Sequence, residues 1–225
     1  MKKQYSAIAI AAGLLCTNYA QAETGVTADL GTTGIGAHVS IPLESKLNAR
    51  FGLNYLSHAY SGDTSNVNYD FTLKLKTVDA LLDYFPMDNG FRITGGIAYN
   101  DSRANGIGKP SLNGIYNLNG ALYPVANIGT LNGNVEFRKS APYLGIGWGN
   151  GTKNAGWGFS SDFGVLFQGR PKTSLTSSGC TLATTPSSSC DTLARDLIAE
   201  NVNLADKTKS LQYFPVVRIG ATYTF

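Results

Sequence analysis

The chain has 225 residues, of which 15% are charged, and a formal net charge of +3. The length fits one domain, and so small a charge excess excludes nucleic-acid binding through a strongly basic surface. Beyond the N-terminal segment no apolar run reaches the ~20 residues of a membrane-spanning helix, whereas 26 glycines and 12 tyrosines are typical of a β-barrel with aromatic girdles.

The N-terminus has the pattern of a secretory signal peptide. Lys2 and Lys3 precede a short apolar run at residues 7–15, and residues 20–22 form a small-x-small cleavage site. We therefore predict a signal peptide at residues 1–22 and a barrel domain at residues 23–225. Cleavage after residue 22 would remove Cys16 together with the signal peptide. The mature chain of 203 residues (225 minus 22) keeps 16 basic and 15 acidic residues, a net charge of +1.

Alternating apolar residues predict strands along the first half of the chain. Residues 26–30 alternate in one phase and residues 35–43 in the other, which indicates a hairpin or, alternatively, one strand with a bulge. Further strands are expected near 49–55, 68–85 and 91–99, with a loop at 61–66. The apolar face of the 68–85 strand changes near Lys76, so either a bulge occurs there or the upper part lies above a membrane.

Two long polar loops are predicted, at about 101–132 and 170–210, separated by strands at 134–148 and 157–167. The second loop contains Cys180 and Cys190, and an even pair in an exported chain predicts a disulfide worth roughly 3 kcal/mol. A metal or redox pair is the weaker alternative, because no histidine is nearby. Residues 192–205 have apolar side chains at helical spacing, which predicts a short amphipathic helix capped by Asp191 or Thr192.

The last strand, residues 211–225, alternates throughout and ends on an aromatic residue. Its positions Arg218, Gly220, Tyr223 and Phe225 resemble the closing-strand signal of bacterial outer-membrane barrels, which implies recognition by the barrel-assembly machinery. Short connections alternate with long ones, as in such barrels. We predict an all-β fold: an eight-stranded antiparallel transmembrane β-barrel in the outer membrane, with short periplasmic turns and long extracellular loops.

Charged residues on the expected inward faces are the candidate lumen lining. We expect them to pair, because unpaired charges in a narrow barrel are costly. The pairs form either a structural plug or a selective lining; the predicted set is Asp29, Arg50, Lys74, Lys76, Asp79, Asp83, Arg92, Asp162 and Arg218.

Short motifs at residues 31–36, 141–147, 157–159 and 213–216 resemble CarO-type outer-membrane proteins of Gram-negative bacteria. That resemblance implies an eight-stranded barrel linked to uptake of ornithine and other basic amino acids and to carbapenem susceptibility. The expected function is therefore a narrow, porin-like channel for selective uptake of small zwitterionic or cationic solutes.

Two other classes of function compete with transport. A structural or adhesin-like barrel would act through its extracellular loops, and a lipid A-modifying enzyme would need a Ser/His pair, for which only His38 and His58 with Ser102 or Ser160 are candidates. We expect no enzymatic activity, no cofactor, no metal and no nucleic-acid partner. The expected partners are outer-membrane lipid and the assembly machinery, and the expected state is a monomer.

Overall fold

The computed structural model describes residues 24–63, 68–87, 89–111, 113–182 and 189–225. The predicted signal peptide lies outside these residues. Thirteen strands are described; the first five are β1 (Gly25–Gly31), β2 (Gly34–Glu44), β3 (Leu47–Asp63), β4 (Asn68–Tyr84) and β5 (Phe91–Asn100). The next four are β6 (Arg103–Lys109), β7 (Ile115–Leu118), β8 (Ala121–Pro124) and β9 (Leu131–Glu136). The last four are β10 (Ser140–Trp148), β11 (Gly156–Phe167), β12 (Lys172–Ser177) and β13 (Tyr213–Thr224), and the two helices are α1 (Val125–Ile128) and α2 (Cys190–Thr208).

Antiparallel pairing links eight of these strands into a circuit that closes on itself. It runs through β1, β2, β3, β4, β5, β10, β11 and β13, and β13 pairs back with β1. Gly31 pairs with Gly34, so β1 and β2 are the two strands of a hairpin, and the single bulged strand is the wrong alternative. We call the end with the 85–90 and 149–155 connections the turn end, and the opposite end the loop end.

The outward face of this circuit is apolar and exposed. Along β3, for example, Phe51, Leu53 and Tyr55 are each more than half exposed, and Trp157 near the turn end reaches 80%. Successive side chains of a strand point to opposite faces, and the inward partners of these residues are mainly small or polar. The closed sheet therefore has the inside-out polarity of a surface that faces lipid.

The segment predicted as a polar loop at 101–132 is structured, so that prediction is wrong. Strand β6 pairs with the upper part of β4, β9 pairs with β6, and β12 pairs with β9, so the sheet continues beyond the loop end. The predicted strand at 134–148 is in fact two strands, β9 and β10, which belong to different parts of the sheet. The short strands β7 and β8 form a separate hairpin.

We use the name loop domain for β6–β9, α1, β12 and α2. It has its own hydrophobic core, in which side chains from these elements pack against Phe71 at the upper end of β4. The buried members are Phe71, Ala104, Tyr116, Leu118, Tyr123, Ile128, Leu131, Val135, Phe137, Leu175, Leu193 and Leu204.

Helix α2 lies in the second predicted loop and is longer than the sequence indicated. The side chain of Ser189 caps it by accepting a hydrogen bond from the Thr192 backbone N–H, so neither predicted cap residue is correct. Cys180 and Cys190 are joined by an S–S bond of 2.03 Å, which ties the first residue of α2 to the chain that follows β12. Among the described residues, no helix has the length and apolar character needed to span a bilayer.

Strand β4 shows how the two parts meet. Its odd-numbered side chains are buried along nearly its whole length, and its register with β3 runs from Leu47–Tyr84 to Asp63–Asn68 without a shift. No bulge occurs near Lys76. The inward face is polar in the closed circuit, at Asp83 and Asp79, and apolar above it, at Leu75 and Phe71. The polarity of the two faces therefore reverses while the strand stays regular.

Candidate functional site: the interior of the closed sheet

Ionisable side chains from seven strands meet inside the closed circuit. Seven of the nine predicted lining residues are buried there, together with a histidine that the prediction left out. The eight side chains are at most 7% exposed: Asp29, His38, Arg50, Asp79, Asp83, Arg92, Asp162 and Arg218.

The lower ionic group, nearer the turn end, consists of Arg50, Asp83, Arg92, Thr94 and Asp162. Arg50 donates to both oxygens of Asp162, at 2.7 and 3.0 Å, and also to Asp83 at 3.1 Å. Arg92 donates to Asp162 at 2.9 Å, and the Thr94 hydroxyl donates to Asp83 at 2.6 Å. Bidentate guanidinium–carboxylate pairs are among the stronger hydrogen-bonded contacts in proteins. The group thus connects β3, β4, β5 and β11 across the interior.

The upper ionic group consists of Asp29, His38, Asn54, Asp79 and Arg218. Nδ1 of His38 lies 2.6 Å from Asp29, and its Nε2 lies 3.4 Å from Asp79 and 3.1 Å from an Arg218 nitrogen. Arg218 forms an ion pair with Asp79 at 2.9 Å, and Asn54 donates to the same carboxylate at 2.9 Å. Histidine therefore sits at the centre of this group and joins two acids from different strands.

Gly52 makes room for that imidazole. A Cβ at this position of β3 would lie 2.0 Å from Cδ2 of His38, far inside van der Waals contact. The pairing of His38 with Gly52 across β2 and β3 places the ring over the glycine. The sequence did contain a sign of this arrangement, because His38 occupies an inward position of a regular alternation.

The two groups do not balance in fixed charge. Three arginines face four aspartates, and His38 is the one other ionisable member. Beside them, an apolar layer fills the interior: Leu81, Ala98, Ala141, Tyr143, Leu166 and Val216. The Arg218 guanidinium carbon lies 5.8 Å from the centroid of the Tyr143 ring. Polar and apolar side chains together occupy the space that an open channel would need.

Lys74 and Lys76 are not part of the interior, which corrects the prediction. Both are exposed, because the buried face of β4 is the odd-numbered one. The prediction took Phe71 and Leu75 as facing lipid and so assigned the lysines to the inside. In the structure Phe71 packs in the loop-domain core, Leu75 is buried on the same face of β4, and the lysines point outward.

The residues considered for an enzyme are not arranged as a Ser/His pair in the described part of the chain. The Ser160 hydroxyl accepts a hydrogen bond from Arg92, and the Ser102 hydroxyl accepts one from the Lys76 backbone N–H. His58 is exposed on β3 rather than turned into the interior.

The closing strand joins the two ends of the described chain. Gly220 pairs with Asp29 and Tyr223 with Val26 in the β13–β1 register, and the Phe225 backbone N–H donates to the Thr24 carbonyl at 3.1 Å. The Tyr223 ring contacts the rings of Trp157 and Phe225 edge to face, at 5.3 and 5.1 Å. An aromatic cluster therefore lies on the outward face at the turn end.

The chain is similar in structure to two crystal structures from Acinetobacter baumannii. CarO matches with a TM-score of 0.55 and 23% identity, over 89% of this chain and 97% of CarO. CarO2 matches with a TM-score of 0.58 and 23% identity, over 92% of this chain and 100% of CarO2. No protein-family model and no curated protein matches the chain. The chain therefore has the CarO-type β-barrel fold.

Proposed function

We propose that this chain is a small outer-membrane protein, an eight-stranded antiparallel transmembrane β-barrel. Its turn end faces the periplasm and its loop domain lies on the cell surface. Two features support the barrel: its outward face is apolar and exposed, and its charges are buried inside, as a lipid-facing barrel requires. The reversed polarity along β4 supports a water-exposed domain above the barrel. The likeness to the CarO structures agrees with it.

The interior best supports a barrel that is closed at rest. The single observation that carries this conclusion is the burial of eight ionisable side chains, none more than 7% exposed, inside the circuit. Eight-stranded barrels have a lumen that side chains can fill. The proposed role is therefore to hold the loop domain at the surface rather than to serve as a general porin.

Conductance in planar bilayers tests this proposal. The unmodified protein should show no sustained porin-like current, whereas a variant with Arg50, Arg92 and Asp162 all replaced by Ala should conduct measurably more if it still inserts. Insertion is checked on the same samples by the heat-dependent change in gel mobility. A steady large conductance of the unmodified protein would overturn the closed barrel.

Selective transfer of small cationic or zwitterionic solutes is the second candidate function. The observations that favour it are the excess of four aspartates over three arginines in the two ionic groups and one buried oxygen of Asp29 that has no hydrogen-bond partner. Basic amino acids have the matching charge, and the resemblance to CarO-type proteins implies them as solutes.

Uptake into proteoliposomes separates the two candidates. Ornithine and lysine should enter faster than glutamate, and replacing Asp79 and Asp83 by Asn should lower their uptake. Replacing Asp206, which is 73% exposed on α2, by Asn is the matched control and should change nothing. If the unmodified protein shows no uptake, the interior is a structural plug and the transport proposal fails.

The remaining proposals concern partners. The closing strand with Phe225 is proposed to be the segment that the barrel-assembly machinery recognises, and lipid is proposed to cover the apolar outward face. The protein is proposed to act as a monomer. It is also proposed not to act as an enzyme, because Ser102 and Ser160 are bonded to groups other than histidine.

A further inference from the structure

A row of basic side chains crosses the outward face just above the closed circuit. Lys74 pairs with Arg103, Arg103 with Glu136, and Glu136 with Lys172, on four adjacent strands. Side chains directly opposite one another in paired strands lie on the same face, and all four are exposed. We call Lys74, Arg103 and Lys172 the basic row.

Two more lysines extend the positive charge toward the membrane. Lys139 forms an ion pair with Asp101, and Arg103 lies 3.4 Å from the same carboxylate. The Lys76 carbonyl accepts a hydrogen bond from the Asp101 backbone N–H at 2.8 Å. The Lys139 and Arg103 side chains remain 61% and 51% exposed. Five cations thus share two nearby acids, Asp101 and Glu136, and keep an excess of positive charge.

The height of this surface is fixed by the aromatic residues beneath it. Lys76 pairs with Tyr55 across β3 and β4, and Lys139 precedes Ser140, which pairs with Tyr99. Tyr55 and Tyr99 are the highest large outward residues of their strands before the polarity changes. Aromatic girdles of outer-membrane barrels lie at the membrane–water interface, so outward cations just above them meet the headgroup layer.

We propose that the basic row binds the phosphate groups of a lipid in the outer leaflet. This inference rests on the proposed outer-membrane location. Lys74 and Lys172 are three strand spacings apart, about 14 Å, so one inorganic phosphate cannot reach both. A headgroup with more than one phosphate can, and Arg and Lys are the side chains that pair with phosphate oxygens.

Lipid binding to the purified full mature protein, followed by native mass spectrometry in detergent, tests the inference. The probes are bisphosphorylated lipid A, lipid A stripped of both phosphates, and inorganic phosphate as a competitor. The test variant carries Lys74→Gln, Arg103→Gln and Lys172→Gln. The matched control carries Lys46→Gln, Lys109→Gln and Lys209→Gln, three exposed lysines away from the row.

The test variant should bind bisphosphorylated lipid A at least about tenfold more weakly than the unmodified protein, and the control should bind like the unmodified protein. Stripped lipid A should bind weakly to all three. The inference would be overturned if the test variant bound bisphosphorylated lipid A as tightly as the unmodified protein does, or if stripped lipid A bound as tightly as bisphosphorylated lipid A. Displacement of the lipid by equimolar inorganic phosphate would overturn it as well and would make this a free-phosphate site. Heat-dependent mobility after insertion into liposomes, measured on the same preparations, reports separately whether the outer-membrane proposal holds.

Discussion

Asp162 holds the lower ionic group together, because Arg50 and Arg92 both donate to it. Replacing it by Asn removes the charge that both buried guanidinium groups need. We expect Asp162→Asn to lower the free energy of unfolding by about 3–5 kcal/mol, measured by denaturant titration of the protein in micelles. Asp206→Asn removes an exposed ion pair with Lys209 and should cost less than about 1 kcal/mol. Equal effects of the two changes would contradict the network.

Gly52 is predicted to be a sensitive glycine of the interior. A methyl group there would collide with the His38 ring, at 2.0 Å, so Gly52→Ala should displace the imidazole from between Asp29 and Asp79. The expected result is a lower unfolding midpoint and changed histidine ring signals in NMR spectra. Gly95→Ala is the control, because nothing lies within 4 Å of a Cβ at that position of β5. Unaltered histidine signals in Gly52→Ala would be the contrary outcome.

At the scale of single residues, the sequence located the buried charges of the regular strands but not their partners. Asp79, Asp83 and Asp162 follow from strict alternation, since one face must be polar if the other meets lipid. His38 was passed over although it shares that face. Lys74 and Lys76 were misplaced because alternation tells which residues share a face and not which face is the inner one.

At the scale of elements, β11 and β13 were predictable because each strand alternates between an outward and an inward face along its whole length. Strand β4 also alternates regularly, but its apolar side chains lie on the outward face within the closed circuit and on the inward face above it. Strand β6 was missed, and β9 was merged with β10 into one predicted strand, since the glycines and asparagines of β6 and β9 have low strand propensity. Their pairing depends on the exposed upper edge of β4, a tertiary partner that local sequence does not show.

Helix α2 is anchored to the β7–β8 hairpin through one carboxylate. The Tyr123 hydroxyl donates to Asp196 at 2.5 Å, and Asn119 donates to its other oxygen at 3.1 Å. Burial, and then this hydrogen bond, raise the pKa of Tyr123 to about 12 from its ordinary value of 10.0. The neutral phenol is therefore favoured by folding, and its contribution to stability is complete below pH 10 and is lost as the pH rises through about 12.

We accordingly expect the loop domain to open between these two pH values while the closed sheet stays intact. Proteolysis of α2 should accelerate in that range, with no loss of the heat-dependent gel shift. Tyr123→Phe lacks the titrating hydroxyl and its hydrogen bond to Asp196. At neutral pH, α2 should therefore be cleaved faster in this variant than in the unmodified protein, and its cleavage rate should rise less above pH 10. An identical pH profile in both proteins would show that another group controls the loop domain.

At the scale of the whole molecule, the barrel-type fold follows from alternation, connection lengths and the closing strand, and the structural likeness to CarO agrees. The loop domain did not follow, because its core forms only when segments far apart in sequence meet. Phe71, Leu131 and Leu193 belong to three separate stretches of chain yet share one cluster.

Deletion of Phe225 tests the proposed assembly signal. The terminal ring packs against Tyr223 and is 71% exposed on the outward face, so its loss removes little interior packing. We expect the truncated chain to show a clearly lower heat-modifiable fraction in outer membranes, and Phe225→Tyr, which keeps an aromatic end, to assemble like the unmodified chain. Normal assembly of the truncated chain would argue against recognition through this residue.

The unbroken pairing of β3 with β4 has a mechanical consequence. Eight residue steps separate Lys76 from Asn68, about 27 Å of strand at ~3.4 Å per residue, and no register shift interrupts that length. A two-stranded ribbon without a hinge transmits torque, so the orientation of the loop domain is coupled to that of the closed sheet. If the closed sheet tilts or rotates, the loop domain must turn with it, and a fluorophore placed on α2 would report the orientation of the eight paired strands below.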